Sequence, residues 1–304
     1  MQLDFFSDNR RNILLNDAGE WLRHLRLEKA LTIYAELISE APDDAELLAL
    51  QQQVVSWQDR LARFCAASIE TAGLHHLWQS IMPETPPPLA AAVRELLIKK
   101  LLELPSPELI YLPPRFHLGV ILLADGQVEA AEDWFARALH KGISERVRFE
   151  VWRGKALERL NDIQSAKKAY LLAFLEKPHE VDADLLQSPL LYELFHSLEC
   201  EDHELNEAEL PAWLPVWGWI QGEWQLTPHD ITTATNLFAQ LEEAEQSGIL
   251  SPPRLWFEYL RYAEYLRTVA RNDRELVRVR RLMRQRSKFM FDRYMEKISK
   301  TPSV

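Results

Sequence analysis

The sequence predicts an all-α protein built as an array of antiparallel helix hairpins. Three observations lead to this prediction. Apolar residues recur at spacings of three and four along much of the chain, which is the period of an amphipathic helix. One segment recurs after 35 residues, and tandem self-similarity at such a period is typical of helical repeats. The 304 residues include nine glycines, which disfavours a loop-rich all-β fold and glycine-rich phosphate-binding loops.

The tandem copies lie within residues 112–178. They share a small residue in a first helix, a turn residue, and two alanines around an aromatic residue in a second helix. The first copy provides Gly119, Gly126, Ala131, Phe135 and Ala138; the second provides Gly154, Asn161, Ala166, Tyr170 and Ala173, with Pro178 at its end. Small residues let helix backbones approach closely, so the glycine and first alanine of each copy are predicted at helix crossings.

This pattern resembles the tetratricopeptide repeat (TPR) family, which shows the same order of Leu-Gly, turn glycine, alanine, aromatic, alanine and proline. A weaker copy, at residues 11–43, keeps only the second-helix spacing, at Ala30, Tyr34 and Pro42. Arg115 and Glu150 stand where the family pattern has a tryptophan. The resemblance implies a TPR-like α-solenoid, followed by a degenerate helical C-terminal part.

The remaining segments also predict helices. After Pro42 one apolar seam continues for several turns, at Leu47, Leu50, Val54, Trp57, Leu61 and Phe64. The proline run at 83–88 is interpreted as a linker or bend, since prolines end a preceding helix. We therefore predict an N-terminal region at 1–82, TPR-like repeats at 89–180 and a C-terminal helical region at 181–304.

Within the C-terminal region, four tryptophans cluster in the segment 213–224. Tryptophans at helical spacing usually belong to a core, and a groove for a partner is the alternative. A helix is predicted from Thr227-Pro228, with Leu237, Phe238 and Leu241 facing inward and Gly248 at its end. Another is predicted from Ser251-Pro252.

The segment 271–300 is basic in an acidic protein. It holds eleven Lys/Arg and four Asp/Glu, a net charge of +7, while the chain carries −11 and the remainder therefore −18. Its apolar residues form a helical stripe, at Leu276, Val279, Met283, Met290, Tyr294 and Ile298. The stripe predicts a helix docked on the rest of the protein, and binding to nucleic acid through the arginines is the alternative.

No catalytic or cofactor signature occurs in the sequence. It lacks a Walker-type loop, a dinucleotide fingerprint and the zinc-protease and serine-hydrolase motifs. His75-His76 and the Cys200–His203 segment each lack the further ligands that a zinc site needs. We expect no enzyme activity, no metal and no cofactor.

The TPR resemblance implies a partner-binding groove lined by the first helix of each repeat. The residues at those positions are Phe116, Val120, Leu123, Arg148, Val151, Lys155 and Arg159. One copy is apolar there and the other cationic, which suits an acidic–hydrophobic peptide segment. The alternative is that these are ordinary packing and surface residues.

The expected function is a non-catalytic protein–protein interaction scaffold, such as an adaptor, co-chaperone or assembly factor. The alternative is a nucleic-acid-associated protein that uses the basic segment 271–300. We expect a cytoplasmic location, because no signal peptide or membrane-spanning apolar stretch is seen and two cysteines, Cys65 and Cys200, fit a reducing compartment. Neither the oligomeric state nor the partner's identity follows from the sequence.

Overall fold

A computed structural model describes residues 2–66, 70–181, 188–226, 240–241, 243 and 247–300. Every regular element within these ranges is a helix, apart from one isolated bridge between Leu112 and Phe116, and the all-α prediction is confirmed. The solenoid arrangement stays a prediction. The predicted helix from Thr227-Pro228 lies mostly outside the described residues; of its apolar positions, Leu241 is described and buried.

The chain forms two compact units, Met1–Lys141 (unit 1) and Gly142–Val304 (unit 2). The junction falls inside the predicted repeat region at 89–180, so the two clear copies belong to different units. Unit 1 also runs through the proline run that was interpreted as a linker. The division at 1–82, 89–180 and 181–304 stays a prediction.

Unit 1 contains seven α-helices within its described residues. They are α1 (Gln2–Arg23), α2 (Leu27–Glu40), α3 (Ala45–Ala66), α4 (Thr71–Gln79), α5 (Pro87–Leu102), α6 (Leu118–Ala124) and α7 (Val128–His140). Each helix packs against the next along the chain, and α5 also packs against α1. The predicted seam of α3 faces inward, with Leu47, Val54 and Trp57 buried.

Unit 2 also contains seven α-helices where the structure describes it. They are α8 (Arg146–Arg159), α9 (Ile163–Glu176), α10 (Pro189–Glu199), α11 (Leu210–Gln221), α12 (Pro252–Tyr265), α13 (Asp273–Arg286) and α14 (Lys288–Lys300). Helix α11 contacts α9, α10, α12 and α14. Its tryptophans Trp213, Trp217 and Trp219 are buried, so the core interpretation of the tryptophan-rich segment is correct for them.

Three helix pairs, α1/α2, α6/α7 and α8/α9, are joined by the same turn. At corresponding positions the chain enters the left-handed region, at Leu25 (φ 51°), Gly126 (φ 83°) and Asn161 (φ 60°). The next residue then donates its N–H to the carbonyl five residues earlier, in the bonds Arg26–Trp21 (2.8 Å), Gln127–Leu122 (2.9 Å) and Asp162–Leu157 (2.9 Å). Such turns satisfy carbonyl groups left open at a helix end.

The small residue of each clear copy lies against the aromatic residue of the same copy. A Cβ atom added to Gly119 would be 2.5 Å from Cε1 of Phe135, and one added to Gly154 would be 2.5 Å from Cε1 of Tyr170. In the α1/α2 pair, Ala18 occupies the corresponding position relative to Tyr34 and is fully buried. Ala131 and Ala166, predicted at helix crossings, are also fully buried.

The basic segment forms two helices, which corrects the prediction of one helix over 271–300. Ser287 adopts an extended conformation (φ −150°, ψ 107°), and its hydroxyl accepts a hydrogen bond from the N–H of Met290 (3.2 Å). A serine that caps a new helix in this way competes with continuation of the old one. The predicted docking is present: five stripe residues are buried and Ile298 is half-buried.

Candidate binding cleft

The predicted groove residues of unit 1 belong mainly to its core. Phe116, just before α6, is fully buried, with its ring centroid 5.1 Å from that of His75. Leu123 is 8% exposed and Val120 is half-buried. A buried side chain offers little surface to a partner, so the structure describes Phe116 and Leu123 as packing residues and leaves their binding role a prediction.

The predicted groove residues of unit 2 lie along α8. Val151 is buried, Arg148 and Lys155 are half-buried, and Arg159 is exposed. The predicted groove residues are thus divided between the two units, three of them in unit 1 and those of α8 in unit 2. The predicted peptide contacts stay a prediction.

Each unit holds a buried ionisable group close in sequence to the predicted groove residues. His117 caps α6: its Nδ1 accepts a hydrogen bond from the N–H of Gly119 (3.0 Å), and its Nε2 lies 3.1 Å from the carbonyl oxygen of Glu108. Burial lowers the pKa of His117 to about 4. In α8, burial raises the pKa of Glu150, against the opposing effect of Arg153 and Arg146. His117 is accounted for by its role as a cap of α6, whereas Glu150 is held by Arg146, 3.8 Å from its Oε1.

Unit 2 has an open cleft between α9 and α12. Lys168, Leu171 and Leu175 recur along one face of α9, as do Arg254, Phe257 and Arg261 along one face of α12. Two adjoining cavities of about 490 and 450 Å³ share Leu175, Arg254 and Phe257 in their linings, and together we call them the cleft.

Apolar side chains form the inner wall of this cleft. It includes Leu171, Leu175, Trp224 and Phe257, and Leu172 is 38% exposed at its edge. Trp224 is held by the chain reversal after α11, where it folds back onto Gly218. A Cβ atom added to Gly218 would be 2.4 Å from Cε3 of the Trp224 ring, so this position accepts only glycine without a shift.

The edge of the 450 Å³ cavity is cationic. Four cations line it, Lys167, Lys168, Arg254 and Arg261, against the carboxylate of Glu223. Lys167 pairs with Glu223 (2.6 Å), whereas Arg254 and Arg261 both pair with Glu258 of α12 (2.8 Å each). The cationic edge is therefore held in place by Glu223 and Glu258, and the adjoining 490 Å³ cavity adds Glu176, Lys177 and Glu180 to the lining.

Burial and a backbone contact fix the position of Arg254 at the centre of the cleft. Its guanidinium donates a hydrogen bond to the carbonyl of Leu175 (3.0 Å), which links α12 to α9. Desolvation lowers the pKa of Arg254 from its usual value, although Glu258 acts in the opposite direction. An arginine remains charged at neutral pH, so the cleft holds a fixed cation beside an apolar wall.

Sequence reasoning placed the binding face on first helices of the repeats, whereas this cleft uses the second helix α9. One signal for it is present in the sequence: Leu171, Leu172 and Leu175 are additional apolar residues outside the repeat positions Tyr170 and Ala173. No local pattern connects them to Arg254, Phe257 and Arg261, because α12 lies far along the chain.

Metal and membrane signatures are not found where the structure describes the chain. Within those residues, no group of three or more His, Cys, Asp or Glu side chains is arranged to hold a metal ion. None of the described helices is long and apolar enough to cross a membrane. No family model matches the chain, and no curated protein or solved structure is significantly similar to it.

Proposed function

We propose that this protein is a non-catalytic interaction scaffold that binds an acidic–hydrophobic segment of a partner protein. The observation that carries the proposal is the α9/α12 cleft, where an apolar wall is bordered by four cations. An adaptor, co-chaperone or assembly factor would use such a site. The two free, exposed cysteines, Cys65 and Cys200, support a cytoplasmic location within this proposal.

The proposal includes the TPR-like character of the helix pairs. Its support is the shared turn of α1/α2, α6/α7 and α8/α9, together with the matching contacts of Gly119 with Phe135 and Gly154 with Tyr170. Repeats of this kind serve many unrelated partners, so the ligand class is argued from the cleft alone.

The cleft has room for a short extended segment. The α9 residues that line it run from Gln164 to Glu176, about 18 Å at 1.5 Å per residue. An extended chain covers that distance with about six residues at 3.3 Å each. Apolar side chains of the segment would pack on Leu171, Leu175 and Phe257, while its carboxylates would pair with the cationic edge.

The test is fluorescence anisotropy with a labelled hexapeptide in which Glu and Leu alternate. Matched peptides replace every Glu by Gln or by Lys. We expect the Glu peptide to bind about tenfold more tightly than the Gln peptide, which corresponds to about 1.4 kcal/mol, and the Lys peptide not to bind. Equal binding of the Glu and Lys peptides would contradict the proposed ligand class.

Two variants locate the binding. Lys168→Glu reverses an exposed cation of the cleft, and Leu172→Ser removes a partly exposed apolar side chain. Each is expected to weaken binding of the Glu peptide at least about tenfold without changing helicity. Lys99→Glu, an exposed position in unit 1, is the matched control and should bind normally. Unchanged binding by both cleft variants would place the site elsewhere, and the α8 residues Arg148, Lys155 and Arg159 would be tested next.

A further inference from the structure

Helix α13 has two opposite faces of different chemistry. One face is apolar and buried, with Leu276, Val279 and Met283 at most 5% exposed. The opposite face carries four exposed arginines, Arg274, Arg278, Arg281 and Arg284, which we call the arginine row. Their spacings of four, three and three residues place one arginine on nearly every helical turn.

The basic residues of this segment divide into anchoring and exposed groups. Arg280 reaches the hydroxyl of Tyr294 (3.4 Å), and Arg286 donates to the carbonyl of Leu282 (3.0 Å) and stacks over the ring of Tyr259. Arg274, Arg281 and Arg284 instead form no ion pair with a carboxylate in the described ranges. Docking of α13 therefore holds Arg280 and Arg286 against neighbouring aromatic residues and leaves Arg274, Arg281 and Arg284 exposed on the outer face.

We propose that the arginine row binds the phosphodiester backbone of nucleic acid, a role separate from peptide binding in the cleft. From Arg274 to Arg284 the row extends about 15 Å at 1.5 Å per residue. Each of Arg274, Arg281 and Arg284 can pair with one phosphate, so the row would neutralise about three phosphates. Guanidinium groups pair with phosphate oxygens through two parallel hydrogen bonds, which lysine cannot do.

Other polyanions fit the row less well. A helix that binds a membrane surface inserts its apolar face between lipids, and the apolar face of α13 is already buried in the protein. A protein partner would be expected to use large exposed apolar side chains beside the charges. Val277 (58% exposed) is the exposed large apolar residue within α13, and it is small for such an anchor.

The acidic remainder of the protein does not prevent contact at the row. Its charge of −18 repels phosphate at long range, but the Debye length is about 8 Å at physiological ionic strength. Distant carboxylates are therefore screened, while phosphates in contact with the arginines are not. We expect non-specific binding that is weak and strongly dependent on salt.

The experiment is fluorescence anisotropy of the full chain with labelled 20-nucleotide single-stranded RNA, single-stranded DNA and duplex DNA, at 25–200 mM salt. We expect log K to fall with log salt with a slope of about −2.7 for the duplex and about −2.1 for single strands, as for about three neutralised phosphates. The three probes distinguish RNA from DNA as the source of the shared phosphate chemistry.

The test variant is Arg274→Gln/Arg281→Gln/Arg284→Gln, which changes exposed residues only. It should reduce binding at 50 mM salt by more than about 100-fold and bring the duplex slope to about zero, since all three phosphate contacts are lost. The control variant Arg23→Gln/Arg26→Gln/Lys99→Gln removes the same charge at exposed positions of unit 1 and should bind like the parent chain.

Peptide binding in the cleft should be unchanged by the row variant, which separates this proposal from the proposed function. No salt-dependent binding at 25 mM salt would overturn the proposal, and so would an equal loss of binding in the control variant. Equally tight binding of the parent chain to vesicles containing phosphatidylserine would also overturn it, because the row would then not select nucleic acid.

Discussion

At the scale of single residues, the packing of both clear copies depends on the absence of one methyl group. Gly119 and Gly154 lie in helices, where glycine normally destabilises, yet each accommodates a fully buried aromatic ring. The sequence analysis predicted that these glycines lie where two helices approach closely. It did not predict that the contact is with Phe135 and Tyr170, because spacing along a helix does not give the rotamer of a residue on the next helix.

The glycine contacts predict that replacing glycine by alanine destabilises the protein at some sites and stabilises it at another. Gly119→Ala and Gly154→Ala should each lower the free energy of unfolding by about 1–3 kcal/mol, because a buried ring must shift. Gly73→Ala, in α4, places its Cβ where nothing lies within 4 Å and should raise it by up to about 1 kcal/mol. Urea unfolding measures the free energy of unfolding of all three variants. A gain in stability in Gly119→Ala would contradict the close contact of Gly119 with the Phe135 ring.

At the scale of helices and turns, much of the structure follows from local sequence. Periodicity and capping residues predicted the existence of most helices, and the turn residues Gly126 and Asn161 were predicted from their chemistry. The corresponding turn between α1 and α2 was missed, since Leu25 is an unusual residue for the left-handed region. The break at Ser287 was also missed, because a single serine inside a continuous apolar stripe is a weak signal.

The shared turn predicts how its central position responds to substitution. Nothing lies within 4 Å of a Cβ atom placed on Gly126, so the cost of a side chain there comes from its backbone conformation alone. Gly126→Ala should destabilise by about 1–2 kcal/mol, and Gly126→Asn by clearly less, because asparagine adopts the left-handed region more readily. Thermal unfolding compares the two variants; equal losses would argue against the equivalence of this turn with that at Asn161.

At the scale of the whole molecule, the sequence was least informative about the candidate cleft. Its two walls, α9 and α12, are separated by many residues, and their contact depends on how unit 2 folds around α11. The basic segment shows the same limit. Its charge is visible in the sequence, and burial of its apolar stripe was predicted correctly. Only the structure distinguishes the anchoring Arg280 and Arg286 from the exposed Arg281 and Arg284.

One buried group in each unit, His117 in unit 1 and Glu150 in unit 2, is expected to change stability with acid in opposite directions. In unit 1, the folded pKa of His117 (about 4) is below the ordinary value of 6.5, so the unfolded state binds more protons between these values. Stability is therefore lost as the pH falls through this window, by about 2 kcal/mol between pH 7 and pH 5. In unit 2, the folded pKa of Glu150 is raised above 4.5, so its contribution to stability increases as the pH falls through the raised pKa.

Hydrogen exchange read out by mass spectrometry, corrected for the intrinsic rate, measures each unit separately at pH 7 and pH 5. We expect amides of α6 and α7 to lose about 20-fold in protection at pH 5, while those of α8 and α9 lose none. The variant His117→Asn keeps a capping oxygen for Gly119 but does not titrate, so the loss in unit 1 should disappear. The capping carboxylates Asp44 and Asp162 do not interfere, because their hydrogen bonds lower their pKa values below the usual 3.8. An equal loss of protection in both units, persisting in His117→Asn, would show that His117 does not set the acid sensitivity of unit 1.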